Sequence, residues 1–362
     1  MTRGKLTTEQ IFGQKLTRQE VMQMIRETPG MYARYARLSP QLKKEFMDFC
    51  MGTCGLNLTY DPMFKEIFDP QRFPDRLEDF LSLCLGEEVE ILSALPTESS
   101  RLTEEGSLLV MDLLVRLKSG SLLNVEIQRI GYMFPGQRCA CYSSDLVMRQ
   151  YSQVRSKCRE ENKPFSYQQI CKVYTIVLFQ HSPREFQQYP EEYLHYAKQQ
   201  FNTGLKLDLV QEYLLIPLDI FLKKHQNIDK KLDAWLTLIA SDEMERIREV
   251  IRAYPEFGEI YCQVFRFRYQ MEELMNMFSD ALKIMDANTT KYMVEQLTDE
   301  NEQQRETIKK QGETIGQQGE AIKKKDEMIE QLTDENRQLQ ERVERLEAFV
   351  TSKFGPMDGE EV

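Results

Sequence analysis

Three side chains that can do chemistry lie in one apolar stretch, LLVMDLLVRLKSGSLLNVEIQ, which runs from residue 108 to residue 128. They are Asp112, Glu126 and Gln128. A buried carboxylate is costly unless it is paired, hydrogen-bonded or bound to a metal ion. Two carboxylates with water and phosphate suit Mg²⁺ or Mn²⁺. The alternative is a purely structural salt bridge in which Arg116 neutralises Asp112.

The stretch is predicted to form a β-hairpin, and its register decides which side chains meet. The loop Lys118-Ser119-Gly120 ends in glycine, the residue that most easily adopts the left-handed conformation needed at that point. Counting back from this loop, Leu114 faces Asn124 and Asp112 faces Glu126. Directly paired residues share a face of the sheet. One face would therefore carry the polar side chains of Asp112, Arg116, Asn124, Glu126 and Gln128, whereas a two-residue loop would send Glu126 to the opposite face.

The segments around the hairpin predict a mixed α/β domain. Apolar residues have helical spacing from Asp61 to Leu85, with Asp61 as the N-cap and Pro62 at the first helical position. A strand is predicted over Glu87–Leu95, before the hairpin. After the hairpin the sequence predicts a long helix over Pro135–Lys157, a buried strand over Val173–Phe179, a further strand within Leu209–Phe221 that ends at Pro217, and several helices over Ile228–Asp286.

The two ends of the chain differ from this central domain, which is predicted to span residues 58–287. Residues 1–57 are predicted to be a helical extension. Residues 291–350 contain a heptad repeat. One core position holds β-branched residues or Asn, including Asn301 and Asn336. The other holds Leu at the two ends of the segment, as at Leu339, and Gln or Lys in the middle, where three glycines also lower the helix propensity. The segment EQLTDEN occurs at Glu295 and again at Glu330, five heptads apart. This pattern favours a parallel two-stranded coiled coil and a homodimer, the alternative being a single solvated helix. Residues 351–362 are predicted to be disordered.

Charge and composition restrict the function classes. The net charge of the 362-residue chain is −11, and residues 291–362 hold 11 basic and 18 acidic residues. The preceding part is nearly neutral and lacks the basic footprint of a constitutive nucleic-acid binder. No apolar run is long enough for a signal peptide or a membrane span, so we expect no membrane partner. The eight cysteines form no zinc-binding pattern and indicate reduced thiols in a cytoplasmic protein.

Together these motifs resemble those of the PD-(D/E)XK nuclease superfamily. The pieces that match are DPMFKEIF from residue 61 to residue 68, MDL around Asp112, VEIQ around Glu126, and Arg138 with Tyr142 in the next helix. In detail the chain is similar to the recombination-promoting nuclease (Rpn) group, also called PD-(D/E)XK family transposases. The resemblance covers roughly residues 58–285. It implies a restriction-endonuclease-like α/β fold, in which helices flank a mixed central sheet, and a role in DNA recombination or mobile-element biology.

The resemblance also implies an activity, a cofactor and a substrate. The activity is Mg²⁺- or Mn²⁺-dependent endonucleolytic hydrolysis of DNA. Asp112, Glu126 and the backbone carbonyl of Ile127 would hold the ion, and Gln128 would position the attacking water. A further carboxylate would come from Asp61, if it is not simply a helix cap, or from Glu66, if it is not simply a solvated surface residue.

The resemblance gives three further side chains roles near the site. Arg138 would contact a DNA phosphate or pair with a site carboxylate. Tyr142 would pack. Lys65 would touch phosphate or remain a solvated surface residue.

One departure from the superfamily pattern changes the chemistry. The usual last motif residue is Lys, whose charge stabilises the phosphate, whereas Gln128 can only orient water or donate a neutral hydrogen bond. The Rpn-type members resemble this chain in that respect. The alternatives are a catalytically decayed nuclease fold that serves as a coiled-coil-dimerised DNA-binding or scaffold protein, and a DDE transposase on another strand order. The DDE alternative predicts no helix between the hairpin and Val173–Phe179.

Overall fold

The computed structural model describes residues 11–97, 111–129, 135–224 and 227–355. Helices form its N-terminal part because the sequence supplies clear start signals there. Thr17 and Glu20 form a reciprocal capping box, and the Ser39 hydroxyl accepts a hydrogen bond from the backbone N–H of Leu42. The helices before the sheet are α1 (Arg18–Glu27), α2 (Met31–Arg37), α3 (Pro40–Met51), α4 (Asp61–Ile67) and α5 (Pro74–Leu85).

Six strands of the described residues form one mixed sheet in the order β1-β2-β3-β4-β6-β5. β3 pairs in parallel with β4, and β4 in parallel with β6, whereas the β1/β2, β2/β3 and β5/β6 pairs are antiparallel. The strands are β1 (Ile91–Ala94), β2 (Leu113–Leu117), β3 (Leu122–Gln128), β4 (Val173–Phe179), β5 (His195–Lys198) and β6 (Gln211–Pro217).

The strand predictions are confirmed in the centre of the sheet and less well at its edges. β4 has the predicted ends, because its seven residues are all buried. The first hairpin strand begins only at Leu113, and residues 108–110 of the predicted strand lie outside the described part of the chain. β5 was missed, because only one of its four residues is even partly buried and so no apolar alternation marks it.

A long helix, α6 (Pro135–Glu160), connects β3 to β4 and lies on one face of the sheet. Its buried Tyr142 and Leu146 share an apolar cluster with Leu114 of β2 and Leu122 of β3. A structure without a helix at this position would have favoured the DDE alternative, and the helix is present.

The opposite face of the sheet packs on the larger hydrophobic core, to which the N-terminal helices also contribute. The aromatic rings of Phe68, Phe80 and Trp235 pack together there, with centroids 5.2 to 6.1 Å apart. Trp235 also donates from Nε1 to Asp79 Oδ2 at 2.6 Å. The helices after β6 are α7 (Leu218–Lys224), α8 (Lys231–Ala240), α9 (Met244–Ala253), α10 (Phe257–Arg266) and α11 (Met271–Phe354).

Two glycines that end helices provide a test of this packing. Gly52 ends α3 with φ +71°, and a Cβ there would overlap the guanidinium of Arg268, which is only 1% exposed. Gly86 ends α5 with φ +70°, but nothing lies within 4 Å of its Cβ position. We expect Gly86→Ala to lower the free energy of unfolding by about 1 kcal/mol through the left-handed backbone alone. Gly52→Ala should cost a further ~1–3 kcal/mol from steric overlap. Urea unfolding of both variants measures the difference, and equal losses would contradict the packing around Arg268.

The chain divides into two compact units, Met1–Thr289 and Thr290–Val362. The second unit consists of the continuing helix α11, which ends at Phe354, and residues 356–362 lie outside the described part. From Gln303 onward this helix exposes large apolar side chains at heptad spacing: Ile308, Ile315, Ile322, Ile329, Leu332, Leu339, Val343 and Leu346. Within the described residues, no helix is both long and apolar enough to cross a membrane.

Candidate active site

The hairpin has the register that its loop predicts. Leu114 pairs with Asn124 and Leu113 with Val125. Gly120 has φ +89°, and its backbone N–H donates to the carbonyl of Leu117 at 2.9 Å. A side chain at this position would be strained, so glycine fixes the three-residue loop. Continued by one residue beyond Leu113, the same register sets Asp112, which lies in a bend just before β2, opposite Glu126.

The polar face predicted from this register is buried beneath α6. Asn124, Glu126 and Gln128 are 0%, 4% and 2% exposed. Arg116 points to the same side, where its Nη2 donates to Gln153 Oε1 of α6 at 2.6 Å. The structure shows no ion pair between Arg116 and Asp112, both of which are described. The salt-bridge explanation of the Asp112 carboxylate is therefore wrong.

Hydrogen bonds join the two acidic residues across the strands. Asp112 Oδ2 accepts from the backbone N–H of Ile127 at 2.6 Å. The backbone N–H of Asp112 in turn donates to the Glu126 carboxylate. Glu126 Oε1 also accepts from the side-chain amide of Asn124 at 3.1 Å. The pair is thus fixed in position by the backbone of two adjacent strands.

The burial of these acids disfavours their charged forms. Burial, with the charge of Asp61 as the second cause, raises the pKa of the Asp112 carboxyl to about 7. Burial and then the charge of Asp112 raise the pKa of the Glu126 carboxyl well above its ordinary value. The positive charge of Arg138 opposes both shifts, but only in part. Such a pair stabilises a nearby cation more strongly than two solvated carboxylates would.

Gln128 has an unusual environment. Both polar atoms of its side-chain amide are buried and have no hydrogen-bond partner within the described residues, and the same is true of Asn124 Oδ1. A buried polar group without a partner costs roughly 1–3 kcal/mol. These orphaned atoms lie on the face of β3 that carries Glu126, two residues away from it on either side. The donor set therefore fits a hydrated divalent ion, whose water ligands can satisfy an amide.

The first turns of α6 bring a positive charge to the acids. Arg138 Nη2 donates to the hydroxyl of Tyr142 at 2.9 Å. Burial raises the pKa of the Tyr142 phenol, and the charge of Glu126 contributes to that shift. Tyr142 packs against the sheet, as predicted. The charge of the Arg138 guanidinium favours the charged forms of Asp112 and Glu126.

The two acidic residues of α4, Asp61 and Glu66, have different surroundings. Asp61 forms an ion pair with Lys65 at 2.8 Å, and both side chains act electrostatically on Asp112. Asp61 is the first helical residue and not the N-cap as predicted, because Tyr60 has the extended backbone of the cap position. Glu66 instead contacts Arg72, in a different part of the surface.

No three His, Cys, Asp or Glu side chains of the described ranges lie close enough together to hold a metal ion by themselves. Any ion at the Asp112–Glu126 pair would therefore need backbone, water or phosphate oxygens to complete its ligands, as Mg²⁺ commonly does.

Arg129, the residue after Gln128, links two segments in a way that the sequence does not predict. Its guanidinium lies 3.8 Å from the ring centroid of Tyr60, and its Nε donates to Gln180 Oε1 at 2.8 Å. The same Gln180 oxygen accepts from the hydroxyl of Thr59 at 2.6 Å. This network ties the end of β3 to the segment that leads into α4. The only available signal was an Arg directly after the strand motif.

Comparison with known proteins identifies a family. The family model described as PD-(D/E)XK nuclease family transposase matches residues 58–295. No curated protein and no solved structure matches the chain significantly. The match covers most of the chain, and the mixed six-stranded sheet flanked by helices has the restriction-endonuclease-like α/β architecture that this family implies. The chain therefore belongs to the PD-(D/E)XK nuclease family transposases.

Proposed function

We propose that the protein is a Mg²⁺- or Mn²⁺-dependent DNA endonuclease whose active site is formed by Asp112, Glu126 and Gln128. The observation that carries this proposal is the buried Glu126 carboxylate, paired with the half-buried Asp112, beside an amide without hydrogen-bond partners in the described structure. Asp112, Glu126 and the backbone carbonyl of Ile127 would hold the ion. A bound divalent ion polarises the scissile phosphate and lowers the pKa of a water molecule.

The chain's own residues would supply positioning and charge. The Gln128 amide orients the attacking water through a neutral hydrogen bond, because its atoms are not engaged elsewhere in the described structure. Arg138 supplies the positive charge that Lys gives in the usual superfamily motif, because its guanidinium already acts on both carboxylates. Asp61 adds negative charge near Asp112, with Lys65 as its counter-ion, and is the candidate for a further ligand.

A second candidate function rests on Gln128. Since Gln brings no charge where the superfamily usually has Lys, the same fold would also suit a catalytically decayed protein that binds DNA or serves as a scaffold. Incubation of the full chain with covalently closed plasmid separates the two functions. We expect nicking or linearisation with Mg²⁺ or Mn²⁺ and none with EDTA. Intact plasmid with every divalent ion would favour the scaffold.

We also propose that the protein is a homodimer formed by residues 291–350. The described part of this segment exposes Ile, Val and Leu at heptad spacing, and such a stripe on an otherwise polar helix is normally covered by a partner. A second copy fits best, because the repeated EQLTDEN segment places Asn301 and Asn336 at the same core position. Core Asn residues pair with one another in parallel two-stranded coiled coils and fix their register.

The dimer has a sharp test, because neighbouring residues lie on different sides of the helix. Leu339 is a predicted core residue, whereas Gln338 lies outside the core. We expect Leu339→Asp to weaken dimerisation at least ~100-fold, since each subunit then buries a charge in place of a Leu. Gln338→Asp should leave it within a factor of about 3, as is usual for a surface substitution. Light scattering of the full chain, whose monomer mass is 42.8 kDa, gives the result. A wild-type protein that is monomeric, or equal effects of both variants, would contradict the coiled coil.

A further inference from the structure

An aromatic surface lies at the far end of α6 from the carboxylate pair. It consists of Tyr151 on the helix and of Phe165 and Tyr167 in the segment that follows it. The Phe165 ring packs edge-on against both tyrosines, with centroids 5.4 and 4.9 Å away, and the two tyrosine rings are stacked at 21°. Tyr167 is 75% exposed, although a core would normally bury a ring of this size. Packing thus fixes the ring and leaves most of its surface in solvent.

This surface is positively charged in an otherwise acidic protein. Residues 135–172 hold seven basic and three acidic residues, whereas the whole chain has a net charge of −11. The Arg155 guanidinium lies 5.7 Å from the Tyr151 ring centroid and donates to its hydroxyl at 2.6 Å. Arg159 is also exposed, and the exposed Lys157 and Lys163 both form ion pairs with Glu161. Exposed rings beside cations are the combination that binds a nucleic-acid strand, whose bases stack while its phosphates pair with the cations.

We infer that the aromatic surface binds single-stranded DNA, so that the substrate carries unpaired bases several nucleotides away from the cleaved bond. The inference rests on the proposed nuclease function. A base in a duplex keeps its faces stacked on its neighbours, so an exposed ring can take up only an unpaired base. Thirteen helical residues separate Arg138 from Tyr151, or about 20 Å along the axis. That length corresponds to roughly six nucleotide steps.

Fluorescence anisotropy of a labelled oligothymidylate of about 16 nucleotides, with the full chain in EDTA, tests the inference without cleavage. We expect Tyr167→Ala to weaken binding about 5- to 100-fold, the effect of losing one stacked base. Tyr167→Trp keeps a stacking ring and should stay within about 3-fold of wild type, whereas Tyr167→Leu keeps only apolar surface and should behave like Ala. Arg155→Gln should lower the slope of log Kd against log salt concentration by the amount that corresponds to about one phosphate contact.

Tyr32→Ala is the matched control, because Tyr32 is an exposed ring on α2 outside this surface. It should bind the oligonucleotide like wild type. Failure of wild type to bind, or equal binding by Tyr167→Ala and wild type, would overturn the inference, as would binding of a protein partner that depends on Tyr167 while DNA binding does not. Cleavage by wild type of plasmid and of single-stranded circular DNA, which supplies unpaired bases, reports the nuclease separately. Cleavage with no Tyr167 effect refutes the surface alone, and a Tyr167 effect without cleavage refutes the nuclease alone.

Discussion

Replacing Glu126 by Gln is expected to lower the rate of metal-dependent plasmid cleavage by at least about 10³-fold. The substitution keeps the size of the side chain and removes one of the two carboxylate charges that would bind the ion. A bound ion contributes several kcal/mol of charge stabilisation, and each 1.36 kcal/mol corresponds to a factor of ten in rate. The fold should survive, because removing a charge that burial disfavours does not destabilise the protein.

The same substitution at Glu66 provides the control. Glu66 also comes from the motif region, but its carboxylate contacts Arg72 and Gln263, and Glu66 is not among the charges that shift the pKa of Asp112 or Glu126. We expect Glu66→Gln to cleave within about 2-fold of wild type, as a surface change should. Both variants are compared with wild type at equal concentration in Mg²⁺ and in Mn²⁺. If Glu126→Gln cleaves like Glu66→Gln, the proposed site assignment is wrong.

Replacing Asp112 by Asn is expected to stabilise the ion-free protein at about pH 8 and to stabilise it much less at about pH 5. In the folded protein the pKa of Asp112 is raised to about 7, since burial and the charge of Asp61 outweigh the opposing charges of Lys65 and Arg138. The folded state therefore binds a proton more tightly than the unfolded state does. The stabilisation that comes from the protonated Asp112 carboxyl is complete below the pKa of Asp in the unfolded chain, near 4. It is lost as the pH rises through about 7. At about pH 8 the gain from Asn should be roughly 2–4 kcal/mol.

Urea unfolding in EDTA at the two pH values measures this effect. Asp75, an exposed acid in the first turn of α5, is the matched position, and Asp75→Asn should change stability equally at both pH values. If the Asp112 and Asp75 variants show the same change in unfolding free energy at both pH values, the surroundings of Asp112 do not disfavour its charged form.

The hairpin shows how far the sequence can predict this structure. Gly120 determines the loop, the loop determines the register, and the register places Asp112 opposite Glu126, so simple counting gave the correct pairing. β4 was equally predictable, because a strand buried on both faces has a continuous apolar sequence. β5 was not, because an exposed edge strand of four residues has no such pattern.

The surroundings of the candidate site were less predictable, because they depend on contacts between segments far apart in the chain. Arg116 could have paired with Asp112 by its spacing, but it bonds to Gln153, which is 37 residues away. The lack of hydrogen-bond partners for the buried Gln128 amide is likewise a property of the folded structure. Neither can be derived from local spacing, whereas the family resemblance rested on local motifs and was confirmed.

The central proposal is that Asp112 and Glu126 hold a divalent ion, and calorimetric titration of the ion-free full chain with Mn²⁺ at about pH 8 tests it most directly. The double variant Asp112→Asn/Glu126→Gln is compared with wild type and with the matched surface variant Asp75→Asn/Glu66→Gln. We predict saturable Mn²⁺ binding by wild type and by the surface variant, and its loss in the site variant. Equal Mn²⁺ binding by all three proteins would contradict the proposed site.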